Sequence, residues 1–275
     1  MSKLKVGYFI NYRSCNSSFI NDLLDELNPL VTLYNVAELL KEDHHLMKDL
    51  DYFVIFGGDG TFIHTIIECM HDGFKGKFIC LNSGNLGFHS SLELEDSRKL
   101  VTYFKDKSLV HTKVFKNYIF KYNDKDGYFI NDILVNTGEV LKFDITVDGT
   151  KFENVATSGI CLSTVFGSSG FNYSLNGSII VSDKPLISLK QVAPLRSVRH
   201  PSILPDTIFD LSYVTLKLKL NVSKLNDVNI YVDGVKMRDK DKVAEVEVKV
   251  AYAYEILKFA KDNDNDFNYN LKKLL

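Results

Sequence analysis

Four stretches of the 275-residue chain gather glycine, carboxylate, amide and hydroxyl groups in patterns suited to a phosphorylated polar ligand. The first is Gly57-Gly58-Asp59-Gly60, set between the apolar run Tyr52–Phe56 and Phe62, Ile63, Ile66 and Ile67, which repeat at helical spacing. Glycines at a strand-to-helix turn let backbone N–H groups approach a phosphate, and the helix N-terminus favours its charge. Asp59 cannot bind phosphate by charge. It can accept a proton from an attacking hydroxyl, help position a magnesium ion carried on phosphates, or simply cap the helix. The second stretch, NSGNLGF at 82–88, directly follows the next apolar run, so it should leave the same edge of a parallel sheet and face the first loop. Phe88 within it could stack on a nucleobase or fill the core under the loop.

The third stretch is Asn131-Asp132, between Tyr128–Ile130 and Ile133–Val135. An amide and a carboxylate side by side inside a strand could hold both hydroxyls of a ribose; the plainer alternative is a strand end. The fourth, residues 156–180 (ATSGICLSTVFGSSGFNYSLNGSII), mixes small and hydroxyl residues, permitting close backbone approach and hydroxyl contacts to a polar ligand.

These residues need a scaffold, and the apolar patterning supplies one. Lys5–Ile10 reads as a strand, and Phe19, Leu23, Leu24 and Leu27 share a helical face. Strand then helix recurs: strand over 30–34, helix over 36–47, strand over 52–56, helix over 61–71, strand over 78–81. That alternation predicts a parallel sheet flanked by helices over roughly the first hundred residues. After about residue 109 the pattern becomes strand after strand, including Tyr213–Val222 and Val243–Tyr254. Asp148-Gly149 and Asp233-Gly234 follow strand-like runs and favour two-residue hairpins, so this region is antiparallel. DNDND at 262–266 reads as a solvated loop before a short helix over 271–275.

Composition narrows the classes of function. A net charge of −2 with 45% hydrophobic residues describes a globular chain of two domains, with no pull toward nucleic acid or an anionic membrane. No apolar run has membrane-spanning length and the N-terminal residues lack a signal-peptide pattern, which predicts a cytoplasmic protein. Cys15, Cys69, Cys80 and Cys161 lie far apart and read as free thiols. Adjacent His44 and His45 point to different faces of a helix, and His64 and His71 have no third metal ligand nearby. His89 beside the second loop could touch a ligand but is expected to face solvent. Arg196, Arg199 and His200 form a basic group that could meet phosphate or lie at a surface.

Taken in order, GGDGTFI, NSGNLGF, ND, TSGICLSTVFGSSGFNYSLNG, VAPLRSVRHPSILP and VDG resemble the motifs of the NAD kinase family over nearly the whole chain. The resemblance implies an N-terminal Rossmann-like α/β domain (1–105), a β-sandwich-like dinucleotide-binding domain (106–255) and a C-terminal segment (256–275) that packs back on the first. It further implies phosphorylation of NAD at the 2′-hydroxyl of its adenosine ribose, with ATP or polyphosphate as donor, a divalent cation, magnesium above all, and a homodimer or homotetramer. Carried over by position, Gly57, Gly58 and Gly60 form the phosphate loop and Asp59 is the general base. Asn131 and Asp132 hold ribose, and Phe88 covers adenine. Ser158, Ser169, Gly170, Phe171, Asn172, Tyr173, Ser174 and Ala193 line the dinucleotide site. Departures from the family pattern are Asp132 for Glu, Ser158 for Asp, Phe171 for Tyr, Val165 for Pro, and Ser169 and Gly170 for Thr and Ala. They bear on nicotinamide-side contacts more than on the reaction. A lipid or polyol kinase with the same GGDG loop, and a non-catalytic dinucleotide-binding regulator, are the alternatives.

Overall fold

The computed structural model describes residues 3–13, 17–37, 44–84, 87–106, 110–122, 125–195, 206–221, 228–237 and 245–259. Two compact units divide the chain: residues 1–115 with 253–275, and residues 116–252.

The first unit is built on parallel strands. β1 (Lys5–Ile10) pairs with β2 (Thr32–Asn35) and with β3 (Tyr52–Gly57), and β3 pairs with β4 (Lys77–Asn82). A short β5 (Leu92–Glu93) lies on β4 beside Leu81 and Asn82. Every residue of β3 after Tyr52 is buried, as a parallel strand covered on both faces requires. α1 (Ser17–Leu27) and α2 (Asp59–His71) follow β1 and β3, while α3 (Arg98–Asp106) precedes the strand that leads into the second unit. One side of the sheet packs Val6, Val54, Phe56, Ile79 and Leu81 against Ile20, Leu23 and Leu27 of α1 and Leu100 of α3. On the other, Phe53, Phe74, Phe78 and Tyr254 meet edge to face, Phe74 and Phe78 with centroids 4.8 Å apart.

α2 begins two residues earlier than its apolar spacing indicates, because the helix needs no side-chain cap: Gly58 occupies the cap position in extended backbone. Of the helix expected over 36–47, Val36 and Ala37 are helical, residues 38–43 lie outside the described residues, and His44–Asp49 form a 3₁₀ helix. The segments at 262–266 and 271–275 and the cluster Arg196, Arg199 and His200 also lie outside them, as does Cys15.

The second unit is antiparallel. After β6 (Val110–Tyr122) and β7 (Lys125–Phe129), paired to each other, come β8 (Asp132–Val147), β9 (Thr150–Thr164), β10 (Leu186–Pro194) and β11 (Asp206–Asp210), each pairing with the one before from β9 onward. β12 (Leu216–Asn221) lies on β8, as does β13 (Val228–Val232), which turns into β14 (Val235–Lys236). β15 (Glu245–Phe259) pairs antiparallel with β12 in this unit, then parallel with β4 in the first through Glu255 and Ile256. The core gathers Phe120, Phe129, Phe143, Ile160, Leu162, Leu189, Leu218 and Val246.

Both Asp-Gly dipeptides form the expected hairpins. Asp148 and Gly149 have φ of 49° and 76°, and Asp233 and Gly234 have 47° and 79°, so both central residues are left-handed in each turn. That conformation matches the twist of the strands it joins.

Candidate active site

β3 ends at Gly57, where a Cβ would lie 2.6 Å from Thr61 Cβ; only glycine lets the chain turn so tightly into α2. Asn11, just past β1, donates from Nδ2 to Thr61 Oγ1 at 2.9 Å and fixes that first helical turn from the neighbouring strand. Gly60 is exposed, with open space where a Cβ would stand.

The second loop closes on the first. A Cβ on Gly84 would lie 3.4 Å from Gly58 Cα, so the two backbones face each other across glycines. Asn82 organises this loop: Oδ1 accepts from Gly84 N at 3.0 Å, while Nδ2 donates to Gly84 O at 3.0 Å and to Glu93 Oε2 at 2.9 Å. Gly87 is left-handed, φ 68°, which directs its N–H onto Asp59 Oδ2 at 2.9 Å. His89 N donates to Asp59 Oδ1 at 3.1 Å.

Asp59 is therefore no N-cap. It stands in the first turn of α2, and its two oxygens accept N–H groups of the second loop instead of its own helix. Burial would raise its pKa, but the His89 side chain and the loop N–H groups outweigh that effect and hold it below the usual carboxylate range. The carboxylate is ionised at neutral pH, partly open to solvent, and next to the positive end of a helix dipole. His89, expected at the surface, is buried with its ring Nδ1 3.6 Å from Asp59 Oδ1. Phe88, between these two anchors, is half-buried.

In the second unit, Asn131 and Asp132 form a bend and a strand start, so the apolar stretches around them are two strands, β7 and β8, and no single strand runs through the pair. Asp233, the hairpin residue after β13, holds that bend: its carboxylate accepts from the N–H groups of Ile130 (2.9 Å), Asn131 (2.6 Å) and Asp132 (3.1 Å). Its own N–H donates to Asp132 O at 2.9 Å. Burial, then the Asp233 charge, pushes the Asp132 carboxyl up to about 6. From the other side Thr164 Oγ1 donates to Ile130 O at 2.6 Å, and Gly167 packs so close to Asn131 O that any Cβ would clash.

The serine-rich segment is a short 3₁₀ turn (Gly167–Ser169) running into α4 (Phe171–Ser174). Asn172 points inward: it is buried, and Nδ2 donates to Ser168 O at 3.1 Å and Ser178 O at 3.0 Å. Phe171 and Tyr173 project outward, Ser169 is half-buried, Gly170 is exposed, and Ser174 Oγ donates to Phe171 O at 2.6 Å. Lys190, nine-tenths buried, ties the end of the segment by donating to Asn176 O at 3.0 Å, with Asp206 at 4.0 Å. Asp206 also accepts from Ser188 Oγ at 2.7 Å and Ser178 N at 3.0 Å. Ser158 sits on β9 opposite Ala193, which is left-handed (φ 46°) between the pairs Val192–Gly159 and Pro194–Thr157.

His89, Asp233, Asn82 and the Lys190–Asp206 pair are the site-building residues that local reading missed. Asn82, as the first residue of NSGNLGF, Asp233, as a turn residue, and His89, as a neighbour of the second loop, carried some signal; the Lys190–Asp206 pair carried none.

These elements have known counterparts. Residues 131–261 match the model of the ATP-NAD kinase C-terminal domain. The NAD kinase of Clostridium beijerinckii is 25% identical over 220 residues, 75% of this chain and 76% of that protein. That of Borreliella burgdorferi is 27% identical over 198 residues, 67% of each. The chain is similar to the NAD kinase family. The fold is similar as well: yeast NADH kinase complexed with NADH superposes with a TM-score of 0.78 at 20% identity, over 99% of this chain and 87% of that one. The NAD kinase of Archaeoglobus fulgidus in complex with ATP gives 0.71 at 17% identity, over 98% of both.

Proposed function

We propose that this kinase transfers the terminal phosphate of ATP to the 2′-hydroxyl of the adenosine ribose of NAD, giving NADP and ADP, with Asp59 as general base. The observation that carries the reading is the carboxylate of Asp59, ionised, partly exposed and fixed by two loop N–H groups at a helix N-terminus between glycine backbones. The 2′-oxygen forms a bond to the γ-phosphorus as its proton passes to Asp59. The bond from that phosphorus to the bridging oxygen breaks, and ADP leaves with the electron pair. Gly57, Gly58 and Gly60 receive phosphate. Asn131 and Asp132 hold ribose hydroxyls on a bend made rigid by Asp233, Phe88 covers adenine, and Ser158, Ser169–Ser174 and Ala193 line the remainder of the dinucleotide.

A divalent cation, magnesium in the first instance, accompanies ATP and neutralises phosphate charge. We assign the cation to the phosphates of ATP and no step to it; among the described residues no group of three or more His, Cys, Asp or Glu side chains could hold a metal ion. The proposal places the enzyme in the cytoplasm; no described helix is long and apolar enough to cross a membrane. A homodimer or homotetramer is supported by β11, the end strand of its sheet, which exposes Ile208. Light scattering at micromolar concentration should give a dimer or larger; an active monomer would refute the assembly.

Incubation of the purified chain with NAD, ATP and magnesium should yield NADP. Asp59→Asn tests the base directly. It should lower kcat by at least about 100-fold while NAD still binds. Because Asn has one acceptor oxygen for two N–H donors, it should also cost about 1–3 kcal/mol of stability. Near-normal turnover in that variant would show that Asp59 is not the base.

A further inference from the structure

His89 reaches one oxygen of Asp59 twice, through its backbone N–H at 3.1 Å and through ring Nδ1 at 3.6 Å. The ring is 1% exposed and the carboxylate 22%. A separation of 3.6 Å is longer than a hydrogen bond, but the polar ring faces the carboxylate where little water reaches, which strengthens any polar attraction between them. Packing alone would be met by an apolar side chain, whereas a buried imidazole loses solvation that polar neighbours must replace. Asp59 on α2 is a charged group beside the ring, and Glu93 on β5 accepts from Asn82.

We propose that His89 is a positioning residue for Asp59, its ring holding Oδ1 in place beside the backbone N–H of the same residue and leaving the remaining lone pairs to the substrate hydroxyl. The proposal rests on the reading of Asp59 as proton acceptor. It makes the second glycine loop part of the base as well as of the ligand's surroundings. Two consequences follow from losing the ring. The carboxylate becomes a stronger base, because a group that favours its ionised form has gone, and it is held less firmly, which slows transfer.

Two variants separate this role from packing: His89→Leu, which fills the space without polarity, and His89→Gln, which keeps a neutral donor. With the Asp59 carboxyl ¹³C-labelled, its titration should move to higher pH in His89→Gln and further in His89→Leu. The acid limb of kcat should move with it. His89→Leu should lower kcat about 10-fold with little change in KM for either substrate, and His89→Gln should recover most of that loss. If His89→Leu does not fold, the labelled titration of His89→Gln decides alone. An Asp59 titration and kcat profile unchanged in the folded variants, with only a lower Tm, would overturn the positioning role. Near-normal turnover of Asp59→Asn would instead defeat the base assignment itself.

Discussion

Asp59 and Asp132 show how one residue type takes opposite characters from its surroundings. Asp59 is buried enough to be penalised as an anion, yet the His89 ring and two loop N–H groups hold it ionised. Asp233 gives the Asp132 side chain no such donor. That neighbour spends its carboxylate on the backbone of the bend and adds only repulsion, so the Asp132 carboxyl rises from 3.8 to about 6. Between pH 3.8 and about 6 the folded protein binds more protons at this site than the unfolded chain, so stability falls as pH rises across that window. Asp132→Asn should accordingly be more stable than the parent at pH 7.5, with the gap closing toward pH 4, in denaturant melts at the two values. Ribose recognition runs the other way. The ionised carboxylate accepts from hydroxyls and the acid form accepts less well, so NAD affinity measured by calorimetry should rise as pH passes about 6. Asp132→Asn should remove that pH dependence.

At the scale of elements, the two glycine loops work because each strand end is a turn that only glycine can make. Gly87 and Gly149 are both left-handed, with φ of 68° and 76°, but their neighbours differ. A Cβ at Gly149 meets open space, whereas at Gly87 it would lie 2.8 Å from Asn82 Nδ2 and 3.0 Å from Ser90 Oγ. Gly149→Ala should therefore cost about 1–2 kcal/mol of backbone strain and leave turnover intact. Gly87→Ala should add a displacement of the loop that holds Asp59, and a shift of about 1 Å there is worth about 100-fold in kcat. Equal turnover in the two variants would show that the second loop does not set the geometry of the base. The same contrast explains what could be read in the sequence. Strand followed by helix at β1 and β3, both Asp-Gly hairpins and the facing of the glycine loops follow from local chemistry, and these are present. The burial of His89 does not, because the groups around the ring are set by tertiary packing. Asp233 is legible as a turn residue but not as the acceptor for Ile130, a hundred residues away. Lys190 on a strand gives no hint that its amine is spent on Asn176 O.

For the whole molecule, the two units join inside strands β6 and β15, where the chain keeps its apolar alternation and shows no shift of composition. Ligand linkage tests how the dinucleotide is gripped without reference to that boundary. A ligand that binds only the folded chain stabilises it by about 2.7 kcal/mol at a hundred times Kd, which for a chain of this size raises Tm by roughly 5–10 °C. We expect that rise with NAD, and a smaller but clear rise with AMP at the same concentration. The residues assigned to the adenosine half stand on a bend fixed by Asp233, Thr164 and Gly167. The segment assigned to the other half has Ser158 and the outward Phe171 where the family carries Asp and Tyr. Asp233→Ala should reduce the rise, because three N–H groups lose their acceptor and the bend its shape, and Asp59→Asn should retain it. The pair of variants thus separates holding NAD from phosphorylating it. AMP should also displace NAD, and nicotinamide mononucleotide should not; displacement by the mononucleotide alone would place the main grip at the nicotinamide end and leave Asn131 and Asp132 without their assigned hydroxyls.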